Sequence, residues 1–282
     1  MRQRRFFPPS GPQSHAVQRA WQRISSLEGD PCVATEWHDT VFLHFAIDPE
    51  RIRRLLPKEF ELETHEGSAC VSLAAVTMNR FRRLKASPLG LFLSLLPKQT
   101  FLNLRTYARW NDEPGAFFLR GWLSRPFGLR APLGLFGLSA TFARMEYRHE
   151  QPELLGLVRG RNGLEFRYQG TRDPQAAFGP CSPGSISEFA LERYSGFFSR
   201  GDRPMIFRVW HPAWQQCPIH VRIIEQNLIT EKFPWFSEAQ FLEANLTKSI
   251  PDVYIGRPHG LGVVQKRREG RHHGPSAFYE IP

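Results

Sequence analysis

The chain has 282 residues, 41% hydrophobic and 13% aromatic, enough to bury a substantial core and to exclude global disorder. A formal net charge of +10 and a pI near 9.9 keep nucleic acid and anionic membrane surfaces open as partners. No apolar signal core follows the basic start "MRQRRFFPPSGPQS", and the longest apolar run, "SPLGLFLSLLP" at 87–97, is far too short to span a bilayer, so a cytoplasmic protein is expected.

Residues 1–13 read as a basic arm. From Ser14 to Leu27, Ala16, Val17, Ala20, Trp21, Ile24 and Leu27 recur at helical spacing. This amphipathic helix can dock on its own domain or on an anionic membrane surface. "TVFLHFAI" at 40–47 is a strand apolar on both faces, which implies deep burial. "DPERIRRLLP" follows as a short helix with Asp48 as N-cap, Pro49 in the first turn and Pro57 as terminator.

Strands are predicted at 59–64, 69–78, 100–110, 115–123, 138–150 and 163–170, and a helix over 185–198. "MIFRVWHPAW" at 205–214 and "IHVRIIEQNL" at 219–228 read as a strand pair around a Pro-containing turn. Many strands with a few helices predict a mainly antiparallel β fold that closes or sandwiches. No repeat or long linker divides it. The expected layout is a basic arm and helix at 1–30, one domain at 31–257 and a basic tail at 258–282.

The motifs of common chemistries are missing. There is no GxSxG elbow, no GxxxxGK[ST] loop, no HExxH helix and no GxGxxG after a strand. Cys32, Cys70, Cys181 and Cys217 are scattered, with no zinc-type pair, and free buried thiols are expected. His38, His44, His211 and His220 have no spacing that requires a metal. No cofactor and no metal are expected.

"FLNLRTYARW" at 101–110 carries the most specific question. Alternation places Asn103, Arg105 and Tyr107 together on one face and Leu102, Leu104 and Thr106 on the other. The polar row either faces water or lines a cavity. Arg105 must reach solvent or a partner, since an unpaired buried charge is costly. An ion pair with Glu192 is the structural reading. The functional one has Arg105, Asn103 and Tyr107 hold a ligand carboxylate.

Several stretches in order resemble the YqjF-like proteins, a family of unknown function in the acetoacetate-decarboxylase-like superfamily. They are 37–78, "FLNLRTYAR" at 101–109, "PGAFFLRGWLSR" at 114–125, "ARMEY" at 143–147, "EFALERY" at 188–194 and "WHPAW" at 210–214. The resemblance implies an antiparallel β-barrel or cone enclosing a pocket, with the Asn103–Arg105–Tyr107 row turned inward. Where the family pattern has Ser-Leu-Asp, this chain has Arg120, Gly121 and Trp122, so the ligand differs or activity is lost.

Acetoacetate decarboxylases use a Schiff-base lysine activated by a neighbouring lysine. No two lysines are neighbours here, and 132–145, where the resemblance would place the pair, contains none. Schiff-base chemistry is disfavoured. The candidate ligand set is Asn103, Arg105, Tyr107, Arg120 and Glu192, for a small anionic organic molecule. Nucleic-acid or anionic-surface binding through the basic termini, and a non-catalytic scaffold, are the alternatives. No reaction is assigned.

Overall fold

The computed structural model describes residues 31–84, 98–124, 140–150 and 152–261, together with Gln18 and Gln22. Those two glutamines are helical and exposed; the rest of the predicted arm and first helix, the apolar run at 87–97 and most of the basic tail lie outside the described residues. The strands are β1 (Pro31–Ile47), β2 (Glu61–Leu62), β3 (Thr64–His65), β4 (Ser68–Arg83), β5 (Gln99–Trp110), β6 (Glu113–Leu123), β7 (Ala140–Phe142) and β8 (Arg144–Arg148). They continue with β9 (Glu153–Arg159), β10 (Glu165–Thr171), β11 (Ser195–Arg200), β12 (Arg203–Trp210), β13 (Gln216–Glu225), β14 (Gln240–Thr247), β15 (Ile250–Gly256) and β16 (His259–Gly260). Between the described strands lie three short α-helices, α1 (Pro49–Arg53), α2 (Ile186–Leu191) and α3 (Asn227–Thr230), and two 3-10 turns.

Seven strands close a barrel in the order β4–β5–β6–β11–β12–β15–β1, and β1 pairs back onto β4. Neighbours are antiparallel except β6 and β11. The long β1 does double duty. Its first half pairs with β15 and its second half with β14, from which a second sheet runs through β13, β10 and β9 to β8. The break falls between His38 and Val41, where Asp39 takes φ +36°, a backbone kink that lets one strand serve two sheets.

Alternation then sorts two cores. Val41, Leu43 and Phe45 of β1, Val71 and Leu73 of β4, and Leu102 and Leu104 of β5 face outward. They pack against Leu154, Val158, Phe166 and Tyr168 of the second sheet. The opposite faces point into the barrel, where Phe42, Ala74 and Tyr107 meet Phe198, Phe207, Val209 and Trp214. Both faces of β1 and β4 are therefore buried, as the doubly apolar "TVFLHFAI" implied.

Asp48 caps α1 by accepting from the Glu50 N–H, with Pro49 inside the first turn. The helix expected over 185–198 stops at Leu191. Phe197 and Phe198 are both fully buried but belong to different clusters, and only an extended strand sends consecutive side chains to opposite faces. The strand pair expected around Pro212 is also corrected. β12 sits between β11 and β15 in the barrel, whereas β13 pairs with β14 and β10 in the second sheet. The linking segment carries Trp214 into the barrel interior instead of turning a hairpin.

Close packing of the second sheet rests on Gly156, opposite Tyr168 in the β9–β10 register. A Cβ there would lie 2.1 Å from the Tyr168 ring, whose hydroxyl is held by His149 Nε2 at 2.7 Å. Gly156→Ala is expected to cost about 1–3 kcal/mol by overpacking. Urea unfolding would show it as a lower midpoint at unchanged slope. An unchanged midpoint would mean that the Tyr168 ring moves freely.

Candidate active or binding site in the barrel interior

Strand β5 sets the polar row. Leu102 and Leu104 are drawn outward into the layer under the second sheet, and this turns Asn103, Arg105 and Tyr107 inward. Ser72 of β4 stands opposite Arg105, and His44 of β1 stands opposite Ser72.

A directed hydrogen-bond chain crosses these strands. Tyr107 Oη donates to Ser72 Oγ at 2.7 Å, and Ser72 meets His44 Nδ1 at 2.7 Å. His44 Nε2 lies 3.0 Å from Asn245 Oδ1, and Asn245 Nδ2 donates to Gln216 Oε1 at 2.9 Å. Asn245 Oδ1 can only accept, so His44 carries its proton on Nε2 and takes the Ser72 hydroxyl proton in its Nδ1 bond. Burial, reinforced by the Arg105 charge, lowers the His44 pKa to about 3, so the ring is neutral. Burial likewise pushes the Cys70 thiol up to about 12 and raises the Tyr107 hydroxyl. Each link of this chain is satisfied internally.

Arg105 is not. Its guanidinium lies 4.9 Å from the Phe42 ring centre and 5.8 Å from that of Tyr107. One Nη donates to the Ala190 carbonyl at 3.1 Å, at the end of α2, and Nε is buried without a hydrogen-bond partner. Among the described residues, no carboxylate lies within ion-pair distance of it.

Three more buried atoms without partners belong to side chains of the inner face: Asn103 Oδ1, Thr40 Oγ1 and Trp37 Nε1. Glu243, next to Asn245 on β14 and half-buried, has its carboxyl raised by burial.

The five candidate residues therefore separate. Asn103, Arg105 and Tyr107 share the interior, although the Tyr107 hydroxyl is already used by Ser72. Arg120 does not join them. A bulge between Leu104 and Arg105 pairs Arg120 with Leu104, on the outer face, where it bonds Thr141 Oγ1. Glu192 is buried near Arg105 but forms no ion pair with it. Its carboxylate accepts from the Trp214 N–H at 3.0 Å and from the Tyr194 hydroxyl. It ties the 191–194 turn to the barrel.

Thr40, Ser72, Asn245 and Glu243 were missed. "QFLEANLT" carried a usable signal, since Glu243, Asn245 and Thr247 alternate with Leu242, Ala244 and Leu246.

All four cysteines are buried and none is in a disulfide. The histidines do not converge: His44 and His211 lie in the interior, whereas His38 sits at the β1 kink and His220 on the solvent face of β13. Lys58, Lys98, Lys232 and Lys248 are all exposed, while Lys85 and Lys266 lie outside the described residues. Most of the lysine-free 132–145 stretch also lies outside them. Among the described residues no helix is long and apolar enough to cross a membrane. A groove of about 590 Å³ on the outer face of the second sheet, lined by Arg148, Gln169, His220 and Arg222, is separate from the polar row.

A closed barrel with a polar inner row and a second sheet packed on its wall is the acetoacetate-decarboxylase-like fold. An acetoacetate-decarboxylase-like enzyme from Sphingomonas wittichii RW1 matches at a TM-score of 0.59 and 15% identity, over 82% of this chain and 94% of that one. Acetoacetate decarboxylase from Legionella pneumophila matches at 0.56 and 13% identity, over 83% and 90%. The enduracididine biosynthesis enzyme MppR, solved complexed with pyruvate, matches at 0.55 and 14%, over 84% and 92%. The chain belongs to the DUF2071 family of uncharacterized conserved proteins, whose model matches residues 34–240. The uncharacterized protein YqjF of Bacillus subtilis (strain 168) is 22% identical over 196 residues, 68% of this chain and 78% of YqjF.

Proposed function

We infer that the barrel interior binds a small anionic organic molecule through Arg105. The observation that carries this reading is an interior guanidinium packed against the Phe42 and Tyr107 rings, bonded to the Ala190 carbonyl and without a counter-ion among the described residues. A charge held in such surroundings is costly unless paired. A ligand carboxylate supplies the pair through charge-assisted hydrogen bonds to the planar fork. MppR, of similar fold, is solved with the small carboxylate pyruvate, which supports a ligand of this class. The exposed positions of the four described lysines favour binding without a Schiff base. No reaction is assigned.

The test is a thermal-shift screen of small carboxylic acids on wild type, Arg105→Lys and Arg105→Ala. A ligand at about 100 times its Kd stabilises by roughly 2.7 kcal/mol, a readily seen rise in Tm. The shift should vanish in Arg105→Ala and shrink in Arg105→Lys, which keeps the charge but loses the fork. An equal shift in folded Arg105→Ala would remove Arg105 from the site.

A further inference from the structure

An anion answers Arg105 but leaves the demand of Asn103 unmet. The Asn103 Nδ2 donates to the Ala74 carbonyl at 3.4 Å. Only the amide nitrogen can donate to a carbonyl, so this bond fixes the amide orientation and leaves Oδ1 free to accept. That oxygen is buried and has no partner. Its strand neighbours cannot help, because Ala74 on β4 and Gly121 on β6 stand opposite it and neither carries a side-chain donor. A buried acceptor of this kind is destabilising until a donor reaches it. Thr40 Oγ1, also without a partner, can donate or accept, so it adds a second group able to meet a hydroxyl.

Resting on the anion reading above, we propose that the interior ligand is a hydroxy-substituted carboxylic acid, its carboxylate on Arg105 and its hydroxyl donating to Asn103 Oδ1. The two residues are i and i+2 on one strand face, about 7 Å apart at the backbone. Groups on nearby carbons of one small molecule are therefore read by one strand. The matching oxo acid presents only lone pairs to Oδ1, and the unsubstituted acid presents a methylene; both leave the acceptor orphaned. An ammonium donor is disfavoured because it would lie close to the Arg105 cation on the same strand face. Asn103 becomes the residue that selects the ligand and Arg105 the residue that anchors it.

Isothermal titration of three matched sets tests this directly: lactate, pyruvate and propionate; 3-hydroxybutyrate, acetoacetate and butyrate; 3-phenyllactate, phenylpyruvate and 3-phenylpropionate. In at least one set the hydroxy acid should bind wild type about ten-fold tighter, or more, than both relatives. In Asn103→Leu the three members should fall to within about three-fold of one another, whereas Arg105→Lys should weaken all three alike. Asn103→Val serves if the leucine variant does not fold, and the wild-type preference decides if neither does. Acids that bind in an Arg105-dependent way without favouring the hydroxyl overturn this proposal and leave the anion reading standing. Binding that ignores Arg105, or no binding in any set, overturns both.

Discussion

Replacing Trp214 by alanine is expected to cost about 3–5 kcal/mol and to lower Tm by roughly 10 °C. Trp214 is 2% exposed, the bulkiest fully buried side chain on the inner face. Its ring stacks on Trp37 at 5.7 Å, meets Phe42 edge-on at 5.3 Å and lies 5.0 Å from His211. The indole N–H donates to the Leu191 carbonyl at 2.9 Å, and the backbone N–H donates to Glu192. Alanine removes the packing and orphans a carbonyl at the end of α2. Trp214→Phe separates the two, keeping most of the buried area and losing the hydrogen bond, and should cost about 1–3 kcal/mol. Because Phe42 carries the Arg105 guanidinium on its other contact, the alanine variant should also weaken any Arg105-dependent ligand. Differential scanning calorimetry reads the stability of each variant. A loss below about 1 kcal/mol in Trp214→Ala would mean that the interior collapses around the gap, and that the aromatic cluster is not what holds Phe42.

Much of this fold was legible because its strands are long and their alternation is clean. β5 is the clearest case, since Leu102 and Leu104 against Asn103, Arg105 and Tyr107 announced both a packed face and a polar one. Alternation cannot say what lies beyond the polar face. That depends on β1 pairing with β15 to close the barrel, a contact between segments far apart in the chain with no local signature. The bulge that throws Arg120 outward was equally invisible. Composition does not mark a one-residue register shift, yet such a shift reverses every later side chain in the strand. Glu192 was read as an ion-pair partner of Arg105, but its carboxylate is taken instead by the Trp214 N–H and the Tyr194 hydroxyl, donors whose positions the tertiary fold sets. The helix expected over 185–198 failed for a related reason. "EFALERYSGFF" carries helical spacing, and the demand to bury Phe197 and Phe198 in separate clusters overrides it.

Between pH 7.5 and 5.5 the protein is expected to lose about 4 kcal/mol of unfolding free energy. Burial lowers three imidazoles: His44 to about 3, with Arg105 adding to the effect, and His149 and His211 each to about 4. In the unfolded chain each returns to about 6.5. Below that value the unfolded state takes up protons that the folded state refuses. The stability these rings contribute is therefore complete above pH 6.5 and is lost as pH falls toward their folded values, at about 1.4 kcal/mol per ring per pH unit. Asp39 and Glu243 act in the opposite sense. Their carboxyls are raised by burial, so the folded state holds those protons more tightly and gains stability as pH falls through their range. Urea unfolding at pH 7.5, 6.5 and 5.5 measures the slope, and His211→Gln should remove about a third of it. A flat profile would mean that water reaches these rings. The ligand connects this titration to the site. An anion on Arg105 neutralises the charge that helps burial to hold His44 unprotonated, so a saturating hydroxy acid should raise the folded His44 pKa above about 3. Anion binding at a distance from Arg105 would leave that pKa unchanged, so titrating the His44 ring by NMR with and without the acid locates the bound charge without a structure of the complex.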